Sequence, residues 1–187
     1  MPKINELKKG DLVEINGAPH IVKNYDVRNP SSRGASTMYK VRFNNLKTGN
    51  KVDETFKGED FINAMDCPKV SVMFSYIEGD NYVFMNNDDY SQYFLPETAL
   101  EESKKYLTEG LAGITAILLD EQILTIELPT QVVLEVVDTT PGTKSTGAGR
   151  TKPAVLSTGY EVQVPEFIEP NEQVKISTLT GKFLSRA

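Results

Sequence analysis

Apolar and polar residues alternate through much of the chain. In Thr37–Phe43 (TMYKVRF), Tyr39, Val41 and Phe43 fall on one side and Met38, Lys40 and Arg42 on the other. That is the period-2 pattern of a half-buried strand, here with a cationic outer face. The preceding IVKNYDV reads as a second strand, and NPSSRGAS between the two is turn material. The opening LKKGDLVEINGAPHIV predicts strand, tight Asn-Gly turn, strand. A further hairpin follows in FNNLKTGNKVDETF, turning at Lys47–Asn50. Short strands at regular spacing with turns between them predict a small β-barrel.

The pattern restarts near Pro68. KVSVMFSYIEGDNYVFMNN predicts a hairpin turning at Glu78–Asn81, and GITAILLDEQILTIELP predicts two strands about an Asp-Glu-Gln turn. Between them LPETALEESKKYL is the one convincing helix, starting near Pro96 or Thr98 with acidic residues in its first turn. Strands, one helix, then strands suit an OB-type barrel. A third set begins near Thr130: TQVVLEVVDTT, the Gly- and Thr-rich loop PGTKSTGAGRTKP, then AVLSTGYEVQVP, NEQVKIST and GKFLSR. The expected fold is all-β, three small barrels in tandem over residues 1–65, 66–128 and 129–187.

Composition changes this picture little, and charge changes it more. At 187 residues, with 39% hydrophobic and 25% charged, the chain has ample core material. No apolar run approaches the ~20 residues of a membrane span, and MPKINELKKGD lacks the apolar core of a secretory signal. The expected location is the cytoplasm, with no membrane partner. One His (His20), one Cys (Cys67) and no Trp argue against an internal disulfide and a thiolate zinc site. No metal or cofactor is expected, His20 reads as a surface or strand-end residue, and Cys67 as a residue without chemistry. The net charge of −6 is unevenly spread. The first segment carries 11 Lys and Arg against 8 Asp and Glu, the second 3 against 12, and the third 6 against 6. Lys23–Arg42 holds five cations (Lys23, Arg28, Arg33, Lys40, Arg42) and one anion, Asp26. Either this is a solvated hairpin, or the basic end meets a polyanion while the acidic middle faces basic protein or solvent.

Three motifs invite chemistry. Gly142–Gly147 (GTKSTG) has the frame of a phosphate loop, but Ala148 and Gly149 stand where Lys and Ser or Thr belong, and Pro153 follows. What remains is a loop carrying Lys144, Arg150 and Lys152 beside small hydroxyl residues, suited to backbone contacts with nucleic acid or to a plain solvated turn. Carboxylate pairs such as Asp53/Glu54, Asp88/Asp89 and Glu101/Glu102 are abundant, but neighbours on a strand point to opposite faces. No Ser, Cys or His constellation completes a nucleophilic site, so no enzyme is expected. The third motif is Asn29–Ser36, where one long cation, Arg33, stands among Pro30, Ser31, Ser32, Gly34, Ala35 and Ser36. Small neighbours leave its planar guanidinium open to phosphate or stacked bases. By composition alone the same residues also make an ordinary hairpin tip.

TKPAVLSTGYEVQVPEFI resembles the signature K-x-A-x4-G-x2-V-x-V-P-x2-I of bacterial elongation factor P, through Lys152, Ala154, Gly159, Val162, Val164, Pro165 and Ile168. VVLEVVDTTPG, VFMNND, the NLKTG turn and TLTGKFLSR also resemble that family, in its order; Asn171 replaces the family's next Gly. The resemblance implies a KOW-like (SH3-like) barrel followed by two OB-fold barrels, an L-shaped mimic of transfer RNA. It implies a monomeric, non-enzymatic factor that binds the ribosome between the P and E sites. There it would hold the P-site peptidyl-transfer RNA and promote peptide bonds at stalled proline-rich sequences. The loop tip Pro30–Ser36 would touch that transfer RNA, with Arg28, Lys40 and Arg42 as supporting RNA contacts. The third-domain loop, with Lys144, Ser145, Thr146, Gly147, Arg150 and Lys152, would lie toward E-site messenger RNA, and the acidic middle toward a basic ribosomal protein. Family members carry a modifiable Lys, or in some lineages a glycosylated Arg, at the tip. Here Arg33, a lengthened hairpin and the loss of the usual G-D-T acid around Ser145–Gly147 resemble the elongation factor P-like paralogue. A ribosome-assembly or general RNA-binding protein built of the same barrels, and a purely structural adaptor, are the alternatives.

Overall fold

The structure, a computed structural model, describes residues 1–29, 36–142 and 149–187. The expected alternation is realised as three five-stranded antiparallel sheets. The chain divides into two compact units, Met1–Pro68 and Lys69–Ala187.

In the first unit β1 (Leu12–Ile15) turns through Asn16 and Gly17, both at positive φ, into β2 (Ala18–Arg28). Two left-handed residues are what a two-residue hairpin of matching twist needs. β3 (Met38–Asn45), β4 (Lys51–Lys57) and the short β5 (Asn63–Ala64) complete a sheet ordered β4-β3-β2-β1-β5. The two strands expected around IVKNYDV are one continuous β2, bent by an irregularity between Val22 and Asn24. Before the bend β2 faces the core, where Val13, Val22, Val41, Phe43, Ile4 and Ile62 are buried. Beyond it, Asn24 to Arg28 are all exposed. The bend therefore separates a buried stretch of β2 from an exposed one, while Val41 of β3 stays buried and Tyr39 and Phe56 pack against the same core. His20, expected at the surface or a strand end, is instead buried, in phase with Val22, with Nδ1 2.9 Å from the Ala18 carbonyl. A ring polar atom with a backbone partner is tolerated in a core.

The second unit contains two sheets of the same topology. β6 (Lys69–Glu78), β7 (Asn81–Asn86), β8 (Gln92–Pro96), β9 (Ile114–Leu119) and β10 (Gln122–Glu127) are ordered β10-β9-β6-β7-β8. β11 (Gln131–Thr139), β12 (Thr151–Leu156), β13 (Glu161–Pro165), β14 (Gln173–Ser177) and β15 (Phe183–Arg186) are ordered β13-β12-β11-β14-β15. In both, the third and fifth strands of the set lie alongside one another at the open edge, the closure of an OB barrel. The expected helix is shorter than its sequence suggested. α1 covers Glu97–Leu100 only, and a 3-10 segment, Glu101–Tyr106, continues it. Glu101 at φ 48° breaks the α-helical path. The change of path buries Leu100 and Leu107 in the core around Phe74 and Phe84, and Tyr106 in the other core, around Leu134 and Ile176.

That last placement couples the two barrels. Leu111 and Leu128 pack against both cores. Tyr106 meets Tyr160 edge-on at 5.9 Å, Thr158 Oγ1 donates to the Lys105 carbonyl at 2.6 Å, and Thr178 Oγ1 donates to the Pro129 carbonyl at 2.5 Å. Tyr160 also donates to the carbonyl of Gly181 at 2.9 Å. A Cβ at Gly181 would stand 2.7 Å from that hydroxyl, and its φ of 71° is one that other residues avoid.

Candidate nucleic-acid interface

Beyond the bend in β2, the first sheet continues as a three-stranded arm, β2-β3-β4. Its register sets three cross-strand rungs on the outer face: Asn24–Arg42–Asp53, Asp26–Lys40–Thr55 and Arg28–Met38–Lys57. Tyr25–Val41 and Val27–Tyr39 form the alternate rungs on the other face. The expected split of Tyr39, Val41 and Phe43 from Met38, Lys40 and Arg42 is what the ladder shows. The arm's strands end at Arg28 and Met38. Of the expected tip, Ser36 is exposed; Pro30, Ser31, Ser32, Arg33, Gly34 and Ala35 lie outside the described residues.

The three strand cations differ in their surroundings. Arg42 donates from Nε and Nη2 to the two carboxylate oxygens of Asp53, at 2.7 and 2.8 Å. Lys40 Nζ lies 3.5 Å from Asp53 Oδ2. The Arg42 hydrogen bonds hold the Asp53 carboxyl down at about 2, and the same partner raises Arg42. Arg28 is exposed and has no ion pair among the described residues. It lines a shallow open cleft with Met38, Lys40 and Thr55, beside a second lined by Asn24, Tyr25, Asp26, Lys40, Arg42 and Asp53. Both clefts open on the outer face.

The third-domain loop springs from the ends of β11 and β12. Thr143, Lys144, Ser145, Thr146, Gly147 and Ala148 lie outside the described residues. Its base is firmly built: Thr139 Oγ1 donates to the Pro153 carbonyl at 2.8 Å, and a Cβ at Gly142 would meet the Glu166 carbonyl at 2.6 Å. Arg150 is exposed. Lys152 is not on the loop surface. It is buried in β12, and its ammonium donates to the Thr140 carbonyl at 2.6 Å. Its stem runs in phase with Ala154 and Leu156, so that the side chain fills the barrel while its tip satisfies a loop carbonyl. Arg150 thus presents its charge outward, and Lys152 does not.

In the middle barrel every cation has a carboxylate partner: Lys69 with Glu127, Lys104 with Glu97, Lys105 with Glu102. Acids outnumber cations in that segment by 12 to 3, so it stays strongly acidic even with every lysine paired. Lys105 also lies 4.6 Å from the centre of the Tyr160 ring. Burial opposes its charge, but Glu102 and the neighbouring phenols hold the ammonium above its ordinary value. Among the described residues no group of His, Cys, Asp and Glu has the arrangement of a metal site. No helix among them is long and apolar enough to cross a membrane.

The same three-part division appears in comparisons with known proteins. The KOW-like domain of elongation factor P matches residues 3–62, its OB domain residues 68–126, and its C-terminal domain residues 132–186. Among solved structures, a eukaryotic translation initiation factor 5A from Methanococcus jannaschii is similar at 17% identity and a TM-score of 0.46, covering 68% of this chain and 90% of its own. A translation initiation factor eif-5a family protein from Naegleria fowleri is similar at 17% identity and a TM-score of 0.36, covering 68% of this chain and 96% of its own. With all three domain models of one family matched in order along nearly its whole length, the chain belongs to the elongation factor P family of translation factors.

Proposed function

We propose that the chain is an elongation factor P-like member of its family. It binds the ribosome between the P and E sites as a monomer in the cytoplasm and promotes peptide bond formation at stalled proline-rich sequences. The observation that carries this reading is the arm. β2 and β3 expose a cationic outer face and end on either side of the segment that contains Arg33. Phosphate contacts along such an arm fix position without reading sequence, which suits a factor that meets every P-site transfer RNA.

The tip acts by placement. Arg33 offers a planar donor fork to the acceptor end of the peptidyl-transfer RNA, and Ser31, Ser32 and Gly34 let the RNA backbone come close. No general acid, base or nucleophile is needed, since holding the ester in reacting geometry is itself worth a large factor in rate, and a misplacement of about 1 Å costs on the order of 100-fold. The third-domain loop, through Lys144 and Arg150, steadies the factor toward messenger RNA. The acidic middle barrel turns to a basic ribosomal protein or to solvent.

The test is a reporter that stalls at consecutive prolines, supplied with purified factor, together with mass spectrometry of the native 29–37 peptide. Arg33→Ala is expected to lose rescue with only modest loss of ribosome binding. Arg33→Lys is expected to rescue poorly, because an ammonium lacks the fork and is shorter. Full rescue by Arg33→Ala would remove the tip from the mechanism. Binding to ribosomal precursors with no effect on the reporter would favour an assembly factor instead.

A further inference from the structure

The outer face of the arm carries a carboxylate at its centre. Asp53 accepts both fork hydrogen bonds of Arg42, at 2.7 and 2.8 Å, and lies 3.5 Å from the ammonium of Lys40. Of the four cations on the outer-face rungs, Arg28, Lys40, Arg42 and Lys57, two are thereby drawn onto one acid. Arg28, at the distal rung, has no ion pair among the described residues. A bidentate guanidinium–carboxylate pair uses the same parallel donors that would grip a phosphate. Asp53 stands where that phosphate would bind, with its side chain 31% exposed. The pair is not needed to hold β3 to β4, because the backbone ladder from Met38–Lys57 to Asn44–Lys51 does so. Exposed pairs of this kind also add little to stability.

Resting on the reading of this arm as an RNA-facing element, we propose that Asp53 is a positioning residue that withholds Arg42 and Lys40 from RNA phosphate. The arm's RNA contacts are thereby concentrated at its distal end, around Arg28. Phosphate attraction is indifferent to sequence and grows with each cation offered, so an unrestrained arm would hold any RNA. With Asp53 in place the barrel-proximal half of the arm is close to neutral, and attraction rises only toward the segment that carries Arg33. Asp26, opposite Lys40 in the ladder, adds to the same restraint without gripping Arg42.

The test is the salt dependence of binding to purified ribosomes carrying a P-site transfer RNA, for the parent protein, Asp53→Asn, Asp53→Glu, Asp26→Asn and Arg28→Ala. Each added phosphate contact steepens the slope of log affinity against log salt by roughly 0.7–0.9. Asp53→Asn is expected to bind more tightly at low salt and to steepen the slope by one to two such contacts. Asp53→Glu keeps the charge and is expected to follow the parent, and Asp26→Asn to tighten binding without a new slope. A parental slope for Asp53→Asn, or an equal steepening by Asp26→Asn, overturns the proposal, since the effect would then be absent or one of net charge. Arg28→Ala separates the two readings. If it flattens the slope while Asp53→Asn changes nothing, only the restraint fails; if neither changes the slope, the RNA-facing arm fails with it. Thermal melting of each variant shows that it is folded.

Discussion

Lys152 and Arg150 stand two positions apart and do different work. Lys152 reaches the Thr140 carbonyl from inside the barrel, and Arg150 faces out at the loop's base. Lys152→Ala removes a charge-assisted hydrogen bond and the packing of the stem, and is expected to destabilise the protein by about 1–3 kcal/mol. The salt slope of ribosome binding should stay at its parental value in that variant. Arg150→Ala should do the reverse, flattening the slope with melting unchanged. Denaturant titration and binding at graded salt measure the two effects side by side. Asp53 supplies a third residue-scale expectation. Its carboxyl titrates at about 2 in the folded chain, against an ordinary value of 3.8. A depressed carboxylate stabilises the fold above its ordinary value, and that contribution is lost as the pH falls through the folded value. Solvent screening keeps this contribution small, so parent protein should lose only slightly more stability than Asp53→Asn between about pH 4 and pH 2, as thermal melts across that window would show. Equal acid sensitivity in both proteins would place the pair's effect elsewhere.

At the scale of elements, turns and bends decide more than strand propensity does. The Asn16-Gly17 turn was legible because those residues accept positive φ readily. Asp120 and Glu121 adopt the same left-handed pair, at φ 50° and 61°, with side chains that resist it. Replacing them by Asn-Gly should relieve that strain and stabilise the second unit by about 1 kcal/mol, read as a higher melting temperature. Strand alternation shows which face of β3 is buried, and it carries two further signals. His20 keeps step with Val22, and Lys152 with Ala154 and Leu156, so both belong inside by phase, although residue type suggested the surface. Asp53 likewise sits in the polar phase of β4 with Lys51, Thr55 and Lys57. Its partner depends on the hairpin register, which the residues of a five-residue turn do not reveal. The helix is shorter than its sequence suggests for a different reason. Its composition favours helix throughout, but the need to put Leu100 and Tyr106 into different cores breaks it at Glu101.

On the scale of the whole molecule, the strand sets and the charge segregation could be read from the chain, because turn residues and charge are local properties. The coupling of the second and third sheets could not, since it depends on Tyr106, Leu111 and Leu128 packing across the boundary expected between residues 128 and 129. A fragment covering residues 69–187 is expected to unfold in one calorimetric transition. Tyr106→Ala, which removes the shared aromatic contact with Tyr160, should split it in two. Two transitions in the parent fragment would mean that the barrels are independent.

Action by positioning is tested most directly by the rate of the chemical step. In single-turnover formation of a proline–proline bond on ribosomes saturated with factor, parent protein should raise the rate well above that of factor-free ribosomes. Arg33→Ala, bound at the same occupancy, should leave it at the factor-free value. Equal rates with parent and Arg33→Ala would contradict a mechanism in which the arm places the reacting ester.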